Sequence, residues 1–360
     1  MHFGEPLPEE RLLELLRPGG GIDTVMSADA YGAGEADALL GRAIEGVDRD
    51  TYCLIGAIGH DFYEGEREGA KGYPRFTDPR LRSAAAYGDY IRMAAERSLE
   101  RLGASAFDLL LLHNPDRTGY TSEAVWEAMS GLRAQGLTRL VGVAPGPANG
   151  FTLDLIGCFE RFGETLDWAM IILSPMEPWP GELVLDAAVA NEVKLITRVV
   201  DYGGVFHDDV RAGHGFAEYD HRKFRPSGWV EAGTEKLERM RPYAERHGLS
   251  VLQLACQWNL AHEAVACVAP TLIQESGADA RPIEAKRAEL AALPSEPMLS
   301  ASEVRELRAI GDNSGSMALK GASVEYEGEP LADRWSLSEE LGALAARWRI
   351  EPARDLVKTG

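Results

Sequence analysis

Two histidines and an arginine lie where apolar runs of the sequence end, and an enzyme built on parallel strands places its chemistry at such ends. His113 closes the run DLLLLH, and His60 with Asp61 follows the run YCLIGAI. Histidine transfers protons near neutral pH, and a histidine beside an aspartate can supply an acid–base pair. Arg198 and Asp201 lie at the end of the run KLITRVV. Charges on a buried strand need a partner or a ligand, so these two residues are also candidate site residues.

Other polar clusters give no clear pattern. His207, Asp208 and Asp209 are adjacent, and His214 and His221 follow them, but this spacing fits no definite metal site, so we expect no metal. The four cysteines show neither CxxC nor metal-type spacing. We expect them to be reduced and buried, as free cysteines commonly are.

The elements that must position these residues are strands and helices in alternation. Most of the apolar runs are continuously apolar and too short for helices, which is typical of a parallel sheet buried on both faces. Segments of helical period separate the runs, and this order predicts an α/β fold with right-handed crossovers. The strand candidates are residues 22–26, 52–58, 108–113, 139–144, 169–174, 194–200 and 264–269.

Seven such runs predict a (β/α)8 TIM barrel with one strand unaccounted for, and a doubly wound open sheet is the alternative. Residues 201–230 are predicted to form a long loop over the active-site face, since loops of that length are usually functional. We expect residues 1–311 to form the barrel and residues 312–360 to form a C-terminal extension packed on it. That extension should end in an amphipathic helix capped by Ser336 or Ser338.

Composition excludes several classes of partner. The 360 residues include 37 Lys+Arg against 57 Asp+Glu, a net charge of -20. Such a surplus repels nucleic acid and anionic membranes, so a small-molecule substrate is the expected partner. No apolar run approaches the roughly 20 residues that span a bilayer. The first residues lack the basic start and apolar core of a signal peptide, so the expected compartment is the cytoplasm.

Five segments of the sequence are informative because of both their residues and their order along the chain. They include DLLLLHNPD, GGIDTVMSADAYGAGEADALLGRAI, QGLTRLVGVA, ITRVVDYGGVF and MRPYAERHGLSVLQLACQWNLAHEAVACVAP. In this order they resemble segments of the aldo-keto reductase family, over roughly residues 2–310. The resemblance implies a barrel enzyme that interconverts a carbonyl and an alcohol with NADP(H) or NAD(H). It also implies that Tyr31 is the catalytic acid/base and that His113 orients the carbonyl.

The same resemblance shows departures beside the tyrosine. The family places an aspartate five residues before it, where this chain has Met26; with a gap, Asp23 takes that place instead. The family lysine falls at Ala57. Without the gap both members of an ion pair are absent together, which avoids an unpaired buried charge. With the gap Asp23 needs another partner, and Arg198 is a candidate.

Cofactor recognition departs from the family as well. Ala144-Pro145 replaces the usual Ser-Asn that holds the nicotinamide carboxamide. Cations near the end of the barrel sequence could meet a cofactor phosphate, or could form an ordinary solvated helix face. The residues expected to bind the cofactor are Gly204, Arg281, Lys286 and Arg287. The residues expected to line the substrate pocket are Asp23, Met26, Ala57, His60, Trp179, Arg198 and Trp229.

The first ten residues, MHFGEPLPEE, resemble the segment just after the first barrel strand of the family. We therefore expect that strand to be missing or reduced to residues 1–4, either because the start was assigned late or because the barrel closes differently. A gap in a barrel exposes strand edges, which favours pairing with another chain and makes a homo-oligomer conceivable.

Two other functions stay open at this point. One is a lyase or isomerase on the same barrel, in which Tyr31 and His113, with His60 or Arg198, move protons without a nicotinamide. The other is a non-catalytic descendant that keeps a ligand pocket, since a fold does not by itself imply a function.

Overall fold

Seven parallel strands form one sheet, in which neighbours along the chain are also neighbours in space. The computed structural model describes residues 3–69, 72–146, 152–314 and 337–356. Each of the seven strand candidates is confirmed, with ends that differ by one or two residues from the apolar runs. The strands are β1 (Thr24–Met26), β2 (Cys53–Ile58), β3 (Phe107–His113), β4 (Thr138–Ala144), β5 (Trp168–Ile172), β6 (Lys194–Arg198) and β7 (Val265–Ala269).

Helices connect consecutive strands and cover the outer face of the sheet. Every strand-to-strand connection contains at least one helix, which confirms the predicted alternation. No helix in the described part of the chain is long and apolar enough to cross a membrane. The helices are α1 (Glu9–Leu16), α2 (Glu35–Ile44), α3 (Tyr87–Leu102), α4 (Arg117–Thr121), α5 (Glu123–Ala134), α6 (Thr152–Phe162), α7 (Leu185–Ala190), α8 (Trp229–His247), α9 (Val251–Leu260), α10 (Ile283–Ala291), α11 (Ala301–Gly311), α12 (Glu339–Arg347) and α13 (Pro352–Asp355).

The sheet curls around an inner core, because side chains from different strands meet on its concave face. Leu109 and Leu111 of β3 lie in this inner core, whereas Leu110 and Leu112 pack outward among the helices. Side chains alternate in this way along every strand. The inner core also contains Ile55, Ala57, Ala144, Met170 and Ile196.

The curled sheet is open between its first and last strands. β1 and β7 are its two edges, and no pairing joins them in the described ranges. Residues 3–23 contain α1 but no strand, as expected for a truncated first strand. The backbone of Glu5 instead donates a 2.7 Å hydrogen bond to the carbonyl oxygen of Gln274, beyond β7. Residues 1 and 2, which complete the predicted remnant, lie outside the described residues.

The cysteines are all free, and only two of them are buried as expected. Cys158 and Cys256 are buried, whereas Cys53 and Cys267 are only partly buried. Both pack against the inner core, Cys53 from the start of β2 and Cys267 from the edge strand β7.

The C-terminal segment packs on the outside of the sheet through α12. Ser338 caps this helix, since its side chain accepts a hydrogen bond from the amide of Leu341. Leu341 and Leu344 are buried in the outer core, and Arg347 pairs with Glu160 of α6 at 2.6 Å. The predicted loop before this helix lies mostly in residues 315–336, outside the described ranges.

Candidate active site

Tyr31 and His113 meet at the carboxyl end of the sheet, which we call the mouth. Their ring centroids are 5.5 Å apart and the ring planes make an angle of 88°. Tyr31 follows β1 and begins a tight turn in which Gly32, Ala33 and Gly34 all have positive φ. This turn directs the chain into α2 and leaves the side chain of Tyr31 53% exposed. A phenol that solvent can reach, beside an imidazole, can exchange a proton with a bound oxygen atom.

His113 is the last residue of β3, and the alternation of that strand directs its ring into the barrel. The ring is 6% exposed, and its buried Nδ1 has no hydrogen-bond partner among the described residues. Burial, and then the charge of His60, hold the pKa of His113 well below its ordinary value. The guanidinium groups of Arg198 and Arg75 lower that pKa further. The imidazole is therefore neutral near pH 7, with one N–H donor to offer.

His60 lies beside His113, with ring centroids 5.3 Å apart, but both of its ring nitrogens are engaged. Nδ1 lies 2.9 Å from the carbonyl oxygen of Tyr73, and Nε2 lies 3.2 Å from the side-chain amide of Asn114. The next residue, Asp61, has a fully buried side chain that faces the other way and pairs with Arg82. This arrangement makes His60 a wall of the mouth, and it does not form an acid–base pair with Asp61.

The positions beside the tyrosine are apolar. Ala57 is 1% exposed and lies in the inner core with Ala28, so no lysine is present there. Met26 ends β1 at the open edge and is 37% exposed. Asp23 precedes β1, at the amino end of the sheet, where its side chain accepts a hydrogen bond from Thr24. The structure therefore keeps Asp23 away from the mouth and from Arg198.

Arg198 ends β6 and faces the interior, two residues after the inner-core residue Ile196. Its Nη2 donates to the carbonyl oxygens of Pro145 and Gly146, at 3.2 and 3.4 Å. No described acid lies within 4 Å of the guanidinium, so Arg198 has no carboxylate partner there. Burial lowers its pKa, and the charges of Tyr31 and Tyr120 raise it. Arg198 therefore shares an electrostatic environment with Tyr31 and His113.

Asp201 does not pair with Arg198, although the two are close in sequence. Its buried carboxylate accepts hydrogen bonds from the amides of Gly204 at 2.9 Å and of Thr271 at 2.7 Å. It thereby ties the loop after β6 to the loop after β7. Loops in these two positions of a barrel frequently bind phosphate groups, so their charges decide what they can hold.

The cations expected to bind a cofactor are engaged within the protein. Lys286 is fully buried, pairs with Asp209 at 2.6 Å and donates to the carbonyl oxygen of Ile273. Arg281 pairs with Glu289 at 2.5 Å. Arg287 donates to the backbone carbonyls of residues 15, 17 and 19.

A buried cluster of one arginine and two carboxylates lies nearby. Arg222 contacts Asp220 at 2.7 Å and Glu275 at 2.6 Å, and all three side chains are 1% exposed. Burial alone lowers the pKa of Arg222, but the two carboxylates raise it above its ordinary value. Gly204 adjoins this cluster, because a Cβ added there would lie 3.1 Å from both Arg222 and Glu275. We call Arg222, Asp220, Glu275, Lys286 and Asp209 the paired cluster.

Arg225 is a cation that the sequence did not single out. Its guanidinium lies 4.3 Å from the ring of Trp229 and against the backbone of Gly203, where an added Cβ would meet it at 2.4 Å. Its one hydrogen bond to a described residue, to Tyr202, is long at 3.5 Å. Burial lowers its pKa. Arg225 lies before α8 and is separated from Trp229 by Pro226, Ser227 and Gly228, so no helical spacing indicated this contact.

The two tryptophans expected to line the pocket have different surroundings. Trp229 begins α8 and stacks on Phe216, with ring centroids 5.8 Å apart, so it belongs to the loop over the mouth. Trp179 is 3% exposed and bonds through its backbone to Asn313. Its indole N–H donates to the carbonyl oxygen of Asp355 at 2.5 Å. Trp179 therefore anchors the C-terminal segment and does not line the pocket.

Asp29, two residues before Tyr31, is fully buried. Neither carboxylate oxygen has a hydrogen-bond partner of normal geometry in the described ranges. Burial raises its pKa well above the ordinary value, and the negative charge of Asp37 raises it further. Its amide donates to the carbonyl oxygen of Ala57 at 3.0 Å, which extends the pairing of β1 with β2 as far as the turn that carries Tyr31.

The sequence of the chain is similar to a family model and to a protein of known activity. The model of the Aldo/keto reductase family matches residues 5–281. The 6-dehydroglucose reductase of Agrobacterium fabrum is 23% identical over 255 residues, which cover 68% of this chain and 71% of that protein.

Solved structures share the fold. The glycerol dehydrogenase of Gluconobacter oxydans superposes with a TM-score of 0.65 at 19% identity, covering 86% of this chain and 87% of that one. An aldo/keto reductase of Klebsiella pneumoniae, solved with NADP and acetate, gives a TM-score of 0.55 at 19% identity and covers 87% of this chain and 88% of its own.

Proposed function

The chain belongs to the Aldo/keto reductase family, and we propose that it interconverts a carbonyl and an alcohol at the mouth of the barrel. The observation that carries this proposal is the edge contact between Tyr31 and His113, 5.5 Å between ring centroids, at the carboxyl ends of β1 and β3. Catalytic residues of barrel enzymes gather at that end of the strands.

In reduction, the neutral imidazole of His113 donates a hydrogen bond to the carbonyl oxygen and fixes its position. The hydroxyl of Tyr31 gives its proton to that oxygen, which becomes the hydroxyl oxygen of the alcohol. The reverse reaction returns the proton to Tyr31. Ala57 stands where the family lysine is expected, and Arg198 is a cation whose charge interacts with that of Tyr31. Electrostatic support of this kind is a large part of the rate enhancement in many enzymes.

The family implies a nicotinamide cofactor, which supplies or accepts the hydride when it is bound. Arg281, Lys286 and Arg287 are engaged elsewhere, so we do not assign the anionic part of the cofactor to them. Arg225 fits that role better. It lies on the bare backbone of Gly203, keeps its charge without a described acid within 4 Å, and is oriented by Trp229.

Replacement of the Tyr31 hydroxyl tests the reaction. We expect Tyr31→Phe to lower kcat by about 10²- to 10⁴-fold, since general acid catalysis contributes a factor of that size. The variant should still bind NADPH or NADH, followed by quenching of tryptophan fluorescence. Tyr243→Phe is the matched control, because that hydroxyl bonds to Glu306 on the outer helices. Equal loss in both variants, or none in either, contradicts the assignment of Tyr31.

A proton-transferring lyase or isomerase is the second candidate, and Ala57 is the observation that favours it. A site without the lysine, and with most nearby cations engaged internally, has less support for a nicotinamide reaction. Failure of both NADPH and NADH to bind at millimolar concentration, together with Tyr31-dependent turnover of a substrate, would establish this alternative.

A further inference from the structure

We infer that the substrate carries a carboxylate near its reacting carbonyl, and that Arg198 binds this carboxylate. This inference rests on the proposed function, because it concerns the same mouth and the same reaction. It starts from a charge that the fold places inside the barrel and leaves without a counter-charge.

The position of Arg198 is fixed by the sheet. It ends β6 and pairs in register with Ile172 of β5 and Ala269 of β7, so neighbours on both sides hold its backbone. The inner-core residue Ile196 precedes it by two, and the side chain therefore points into the mouth. Arg198 contacts Pro145, and the preceding residue Ala144 pairs in register with His113, so an anion bound to Arg198 lies close to the reacting centre.

The donors of Arg198 are only partly used. An arginine has N–H groups on three nitrogens, and the hydrogen bonds of this side chain to described residues come from Nη2 alone. Neither Nε nor Nη1 donates a hydrogen bond to a described residue. Their N–H groups point to different sides of the guanidinium, so each can donate one charged hydrogen bond to a carboxylate oxygen.

No acid of the protein fills this place in the described ranges. Every salt bridge of the paired cluster lies in the neighbouring loops, and none reaches Arg198. The residues that follow Gly146 in sequence, PANGF, contain no acid either. A lone cation in a partly dehydrated site is costly unless a ligand pairs with it, which is the reason to look for an anionic substrate group.

The experiment compares matched substrates. Carbonyl compounds with a carboxylate one to three carbons from the carbonyl, such as pyruvate and succinic semialdehyde, are assayed beside their amides. We expect the carboxylate member of the favoured pair to have the larger kcat/KM, by about 10- to 150-fold, the usual range for a charged hydrogen bond. The difference should lie mainly in KM.

Substitution of Arg198 should remove this preference. Arg198→Met is expected to lower turnover of both compounds, because Tyr31 loses the nearby positive charge, and to bring the ratio of their kcat/KM values close to one. Arg198→Lys should keep part of the ratio, because the charge remains but the fixed directions of the guanidinium donors are lost. Arg139→Met is the matched control, since Arg139 is on β4 at the opposite end of the sheet and its side chain is 78% exposed.

The possible outcomes separate the two proposals. Equal turnover of carboxylates and amides by the unmodified protein overturns the role of Arg198 but leaves the proposed function intact, and so does a preference for phosphorylated carbonyls. If no carbonyl is turned over at all, the proposed function fails, and calorimetric titration with malonate becomes the deciding measurement. Binding of malonate that weakens at least tenfold in Arg198→Met, and not in Arg139→Met, supports the carboxylate site. Absence of binding refutes it.

Discussion

The mouth of the barrel and the paired cluster treat positive charge in opposite ways. In the paired cluster, Lys286 and Arg222 are completely buried, and each contacts a buried carboxylate at 2.6 Å. At the mouth, Arg198 reaches two backbone carbonyls and no described acid within 4 Å. The difference indicates that the first set of charges holds two loops together, whereas the charge at the mouth is available to a ligand.

The largest effect should follow from breaking a pair in the cluster. Lys286→Met strands the buried carboxylate of Asp209, and we expect a loss of about 3–5 kcal/mol in the free energy of unfolding, measured with urea. The double variant Lys286→Met/Asp209→Leu should recover most of that loss, because removal of both charges leaves nothing unpaired. A loss below about 1 kcal/mol in the single variant would show that the pair does not hold these loops.

A smaller effect, of opposite sign, is expected at Asp29. Its pKa is raised by burial, so the folded protein holds a proton there that the unfolded chain releases, and stability falls as pH rises above the ordinary value of 3.8. Asp29→Asn should therefore increase the free energy of unfolding at pH 8 and have little effect near pH 4. Asp37→Asn is the control, since Asp37 pairs with Arg101 at 2.9 Å and its loss should destabilise the protein. A gain that is the same at both pH values contradicts the raised pKa.

A still smaller change in stability is expected for Arg198→Met. The variant loses two hydrogen bonds to carbonyl groups but also removes an uncompensated charge, so the terms offset to within about 1 kcal/mol. The free energies of unfolding of Arg198→Met and Lys286→Met should be measured side by side with urea, so that the two losses can be compared directly. A loss at Arg198 as large as that at Lys286 would mean that both regions use charge for structure.

The smallest expected effect is that of His113 on the pH dependence of the reaction. Because the pKa of His113 is depressed, this residue takes up a proton only well below its ordinary value of 6.5. The profile of kcat/KM against pH should therefore show no ionisation of His113 between pH 6 and 8. An acid limb near pH 6.5 that disappears in His113→Asn would contradict a neutral imidazole at the mouth.

The sequence predicts the fold well and the site only in part. All seven strands follow from short apolar runs, because burial on both faces leaves a strong local signal. His113 and Arg198 could be placed at the mouth because each ends such a run. Two contacts could not be predicted: the ion pair between Lys286 and Asp209, and the packing of Arg225 against the backbone of Gly203. These contacts join separate segments of the chain, and nothing in the local pattern of a cation shows whether an acid will meet it.

The open edge of the sheet also sets how firmly the two main side chains of the mouth are held. His113 is carried by β3, which pairs with a strand on each side, whereas Tyr31 follows β1, which pairs only with β2. Elements with fewer backbone hydrogen bonds open more often under native conditions. The amides of β1 should therefore exchange with deuterium much faster than those of β3. The mouth would then combine a hydrogen-bonding imidazole on a rigid strand with a proton donor that follows an edge strand, and the approach of Tyr31 to the substrate can adjust without disturbing the barrel.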